Sequence, residues 1–280
     1  MATTPASAPI LFDRALLGAR LARARREGAA TFLLERATED LADRLRAVSR
    51  SFSAAADIWT PGDGLANAVR KRVASVDAVA FAEMEATGLA PESLDLAVSA
   101  LAFQFVNDLP GVLAQIRRAL KPDGLLLAAM LGGDTLTELR QSFAAAEAEC
   151  EGGVSPRVAP FADLRDIGAL LQRAGFALPV TDVDRVVVRY SSAFALMADL
   201  RRMGATNVLR ERRHTPTRRA TMLRMAQIYG ERFADPDGRI RATFDIVWLS
   251  GWAPHDSQPK PLRPGSAKAS LEAAVKQVKR

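Results

Sequence analysis

The chain has 280 residues, 49% of them hydrophobic and 25% charged, with a formal charge of +6. That much apolar side chain can bury a core, which excludes a disordered chain, and no apolar run reaches the roughly 18 residues needed to span a bilayer. One cysteine, Cys150, excludes an internal disulfide framework or a multi-cysteine zinc site, and two histidines, His214 and His255, leave little for histidine-based metal or triad chemistry.

The basic excess is local. Arg14, Arg20, Arg23, Arg25 and Arg26 follow a lone Asp13, and Arg201, Arg202, Arg210, Arg212, Arg213, Arg218, Arg219 and Arg224 face only Glu211. Such segments can grip an acidic protein or the surface of a membrane as peripheral contacts. Aromatics make up only 6% and do not interleave with the basic residues, which argues against nucleic acid.

In chain order, residues 1–30 read as a basic leader and helix, without the apolar segment of a secretory signal. From Thr31, Phe32, Leu33, Leu34, Ala37, Leu41, Leu45 and Val48 recur at helical spacing. Residues 54–59 form a short buried-strand candidate that breaks into Thr60-Pro61-Gly62-Asp63-Gly64, a turn sequence. A short helix over 65–73 and a strand over 76–81 follow. Residues 94–99 read as a buried strand, Asp108 as the cap of a helix, Lys121-Pro122-Asp123-Gly124 as its stop, and 125–131 as an apolar strand covered on both faces. Strand, helix and strand within about 38 residues make a βαβ unit, so the class is α/β with a parallel sheet. Helices over 135–149, 161–174, 194–203 and 218–233 and strands over 180–190 and 242–248 complete the reading, with a proline-rich basic tail from 254. Asp134 is the expected cap of the helix it precedes.

Leu120-Lys121-Pro122-Asp123-Gly124 between a helix and an apolar strand resembles class I S-adenosyl-L-methionine (SAM)-dependent methyltransferases. Val106-Asn107-Asp108-Leu109-Pro110, Gly132-Gly133-Asp134-Thr135-Leu136-Thr137-Glu138-Leu139-Arg140, Glu151-Gly152-Gly153-Val154-Ser155-Pro156, Leu170-Leu171-Gln172-Arg173-Ala174-Gly175-Phe176, Gly251-Trp252 and Pro264-Gly265-Ser266-Ala267 are more specific. Together they look like the methyltransferase-like respiratory complex I assembly factors of the protein-arginine hydroxylase type. The match runs from Phe12-Asp13-Arg14 to Ala267.

The resemblance implies a Rossmann-like sandwich over 31–253, with a helical insertion at about 190–235 and a flexible tail over 254–280. It implies SAM as cofactor and, as partner, a protein substrate: an arginine of a complex I subunit. It also implies a cytoplasmic bacterial protein. Asp57, Gly62, Gly64, Glu83, Glu85 and Ser99 are the expected cofactor contacts, and Gln104, Asn107, Gly132, Gly133 and Asp134 the expected substrate pocket. No catalytic residue and no metal site is assigned.

Two features depart from the pattern. Trp59 stands where the cofactor turn expects its first glycine, and only 38 residues separate Asp57 from Asp95. One βα unit fits there where two are usual, which predicts a shortened sheet lacking the strand that carries the ribose-binding acid. The strand over 76–81, followed by Glu83 and Glu85, then reads as the adenine-side strand. Two alternatives follow: an assembly chaperone of the same fold without cofactor, and a small-molecule or acyl-carrier O-methyltransferase.

Overall fold

The computed structural model describes residues 10–82 and 84–259. Helix α1 (Arg14–Glu27) begins where Asp13 accepts a hydrogen bond from the Leu16 amide (3.0 Å) and ends at Gly28, whose φ of +87° suits a residue without a side chain. Helix α2 (Phe32–Ala47) buries the stripe Leu33, Ala37, Leu41 and Leu45. Then come β1 (Ala54–Ile58), α3 (Gly64–Arg70), β2 (Ser75–Val79) and β3 (Leu94–Ala100). A single 3-10 turn over 103–105 leads to α4 (Leu109–Ala119), capped by Asp108 through the Gly111 amide (2.9 Å). The remainder is β4 (Leu120–Gly132), α5 (Thr137–Glu151), α6 (Leu164–Arg173), β5 (Ala177–Tyr190), α7 (Ala193–Arg202), α8 (Arg219–Phe233) and β6 (Ile240–Trp252).

These strands form one six-stranded sheet in the order β2-β1-β3-β4-β6-β5. The first four run parallel, and β6 enters antiparallel between β4 and β5. Both faces are covered, which is why β3 from Leu96 and β4 from Gly124 are buried continuously rather than alternating. Leu33, Leu41, Leu139, Leu196 and Ile228 of α2, α5, α7 and α8 pack on one face. Val112, Leu113, Ile116, Ile167 and Leu171 of α4 and α6 pack on the other. A smaller cluster of Phe12, Leu17, Ala159, Val208 and Leu209 fixes α1 across the end of the sheet.

The structure corrects three readings. The 76–81 strand does not stand in the adenine-side position: β2 pairs directly with β1, residue for residue from Ala54–Ser75 to Ile58–Val79, so it is the second strand and the absent unit is the one beyond it. Residues 121–124 do not precede the strand but bulge out of it, since Leu94 pairs with Leu120 and Leu96 with Leu125. Asp134 does not cap α5; Leu136 holds the cap position in a left-handed conformation, and the Asp134 carboxylate reaches Arg185 instead (2.6 Å).

Candidate functional site

Parallel α/β sheets bind ligands at the C-terminal ends of their strands. Here β1, β3 and β4 end beneath a cavity of about 640 Å³, roofed by α1, α7 and the segments 157–161 and 203–214. Trp59, Gly62, Phe81, Leu101, Gln104 and Phe105 form its floor.

The turn after β1 sets the character of this floor. The Trp59 amide extends the ladder to the Val79 carbonyl (3.0 Å), and the residue takes φ +61°, a left-handed conformation that costs an L side chain roughly 1–3 kcal/mol. Its indole is 3% exposed. The Arg14 guanidinium lies 4.8 Å from the centre of that ring and 4.5 Å from the centre of the Phe81 ring. Arg14 also donates to the carbonyls of Ala82 (2.7 Å) and Phe105 (3.3 Å) and pairs with Glu85 at 3.6 Å.

Of the expected cofactor contacts, Gly62 lines the cavity at φ +85° and Gly64 opens α3, each with free space where a side chain would stand. Asp57 is buried, and one carboxylate oxygen has no hydrogen-bond partner. Burial pushes its carboxyl up to about 6, while Thr60 and the Ala66 amide draw it back down. Glu83 lies outside the described residues. Glu85 is not an open adenine contact: its oxygens accept from the Asn107 amide (2.6 Å) and the Asp108 amide (2.7 Å), besides facing Arg14. Ser99 is wholly buried, its hydroxyl donating to the Ile58 carbonyl (2.8 Å), so it ties β3 to β1.

Of the expected substrate pocket, Gln104 reaches the cavity, with its amide donating to the Leu101 carbonyl (2.7 Å). Asn107 instead fastens the start of α1: its oxygen accepts from the Phe12 amide (2.7 Å). Gly132, Gly133 and Asp134 do not line the cavity. A Cβ on Gly132 would meet Val247 at 2.6 Å, and one on Gly133 would meet Asp245 at 2.9 Å, so close packing against β6 requires both glycines. Asp134 and Asp245 share Arg185. The sequence reading missed Phe81 and gave Arg14 no site role; Phe12-Asp13-Arg14 was the available signal, because it places an arginine in the first turn of a capped helix.

The architecture and the cavity at its strand ends define the class I methyltransferase fold. Residues 36–128 match the family described as "Methyltransferase domain". A methyltransferase-type crystal structure from Bacillus halodurans superposes with a TM-score of 0.52 at 15% identity, covering 78% of this chain and 99% of that one. The mitochondrial arginine-hydroxylase NDUFAF5 of Danio rerio is 38% identical over 262 residues, 86% of this chain and 81% of the relative. The chain belongs to this NDUFAF5 arginine-hydroxylase family. The Dictyostelium discoideum member is 46% identical over 182 residues, 65% of this chain but only 42% of that protein's own length. A malonyl-[acyl-carrier protein] O-methyltransferase of Laribacter hongkongensis is 40% identical over 186 residues, 66% of this chain and 60% of the relative. The expectation of a cytoplasmic protein is overturned, because the family members found are named as mitochondrial proteins.

The domain match and the fold support SAM as cofactor. The described residues fit it in one half of its place. Gly62, Gly64 and Asp57 leave the backbone approach that the methionine end needs. The nucleoside half does not fit: Ala80 and Phe81, just past the end of β2, carry no carboxylate for the ribose hydroxyls, and the Arg14 guanidinium lies against both Phe81 and Trp59.

Proposed function

We propose that this chain acts in the assembly of respiratory complex I, on an arginine side chain of one of its protein subunits. The observation that carries this reading is the identity with an arginine-hydroxylase running through 86% of the chain. A protein partner can approach the cavity where α1, α7 and the 203–214 segment meet. Residues 31–253 serve as the methyltransferase-like domain, with α1 laid across its ligand end. Among the described residues no three His, Cys, Asp or Glu gather as a metal site. The test is mass spectrometry of complex I subunits from cells with and without the gene. Loss of an arginine modification, restored by the wild-type chain, supports the reading. Unchanged arginines and unchanged amounts of complex I refute it.

A second reading is favoured by one arrangement, the Trp59–Arg14–Phe81 stack. It holds that the fold binds its partner as an assembly chaperone without cofactor turnover. Calorimetric titration with S-adenosylhomocysteine separates the two. A micromolar Kd supports the enzyme, and the absence of heat at millimolar ligand supports the chaperone.

A further inference from the structure

We propose that the cavity at the strand ends binds an amphipathic anion: a carboxylate or phosphate head on an extended apolar body. The inference rests on the charges of the wall and does not depend on the arginine-modification reading.

The size suits a small-molecule site, since ligand pockets run from about 300 to 1,000 Å³ and this one holds about 640 Å³. Its inner wall is apolar, built from Leu17, Leu33, Leu139, Phe143, Leu200 and Phe244. The charged residues of the wall are Arg14, Arg20, Arg25, Arg157, Arg212 and Arg213, joined by His214; among the described lining residues there is no aspartate or glutamate.

Half of these arginines are answered locally. Arg157 pairs with Glu147, Arg213 with Glu151 (2.8 Å) and Arg14 with Glu85 and two carbonyls. The other three have less to answer them. Arg212 reaches Asp13 at 3.4 Å, and Arg20 feels the same carboxylate while donating to the Asn207 carbonyl. Arg25 is exposed in the last turn of α1. Neither Arg20 nor Arg25 is in an ion pair among the described residues. Arg20 and Arg212 thus share one carboxylate, and Arg25 has no ion pair among the described residues, beside an apolar chamber.

Burial and the proximity of Arg212 and Arg23 disfavour the charged form of Arg20, a repulsion that a bound anion would relieve. Guanidinium pairs with carboxylate or phosphate through charge-assisted, often bidentate hydrogen bonds, and a low-dielectric wall strengthens that attraction. A cationic ligand would find no carboxylate on this wall. An anion with an apolar body satisfies both the rim and the chamber.

The test is calorimetric titration of the full chain with dodecanoate, dodecyl phosphate, dodecyltrimethylammonium and inorganic phosphate, with each amphiphile kept below its micelle concentration. Micromolar binding of one of the first two is expected, at least tenfold tighter than the ammonium, with no binding of inorganic phosphate. Preference between the two anions distinguishes a carboxylate from a phosphate head. Arg20→Gln with Arg25→Gln should weaken the anion at least tenfold and leave the ammonium unaffected. Arg25→Gln alone, at an exposed position, should keep the fold and weaken the anion by about threefold. Equal affinity for anionic and cationic amphiphiles, no binding of either anion, or anion affinity indifferent to both variants would overturn the proposal.

Discussion

Arg14 and Trp59 face each other at the ligand end of the sheet, guanidinium carbon 4.8 Å from the indole centre, with Arg14 only 5% exposed and Trp59 only 3%. A side chain of the first helix thereby closes the space between the ends of β1 and β2. The contact couples three things: the docking of α1, the strained turn after β1, and the access of a nucleoside to the sheet.

Trp59→Gly should open this space. Removing a buried tryptophan costs about 3–5 kcal/mol, partly offset by release of the roughly 1–3 kcal/mol of left-handed strain. A net loss of a few kcal/mol in urea denaturation is expected, together with at least tenfold tighter binding of S-adenosylhomocysteine by calorimetry. Weaker binding would mean that the indole is itself a contact for the ligand.

Arg14→Lys should not rescue the site. A lysine cannot stack its head flat between Trp59 and Phe81 or reach two carbonyls and Glu85 in one plane. Lysine keeps the charge but forfeits hydrogen bonds from a charged donor, worth about 1.5–3 kcal/mol each, and a midpoint in urea indistinguishable from wild type would show that the stack adds nothing.

Asp57 predicts a pH effect with a definite sign. Its carboxyl titrates near 6 in the fold against an ordinary 3.8, so the folded state holds the proton more tightly than the unfolded one. Its contribution to stability is greatest below about pH 4 and falls as pH rises to about 6, by at most roughly 3 kcal/mol. Asp57→Asn should remove that slope. Urea midpoints for both proteins from pH 4 to 7 will show the wild type losing ground to the variant across this window; parallel curves would refute the burial argument.

Gly132→Ala tests whether the Gly132-Gly133-Asp134 turn is structural. The new methyl would press on Val247 and on the Ala162 carbonyl, at 2.6 and 3.0 Å. Overpacking of this kind costs about 1–3 kcal/mol. A lowered thermal midpoint with unaltered ligand affinity is expected, whereas lost affinity at unaltered stability would return the turn to the binding site.

What the sequence by itself determined is local. The helical stripe Leu33-Ala37-Leu41-Leu45, the cap Asp108, and the apolar strands around 94–131 announced an α/β sheet, because side-chain periodicity and capping act within a few residues. The missing βα unit was legible as well, since a separation of 38 positions from Asp57 to Asp95 cannot hold two. Tertiary structure alone decided which unit was missing, where Glu85 and Asn107 spend their hydrogen bonds, and which arginines share a wall. Those outcomes rest on contacts between residues far apart in the chain, 68 positions for Arg14 and Ala82 and 199 for Arg212 and Asp13. No local pattern encodes them, because burial and net charge at a site are sums over everything the fold brings near.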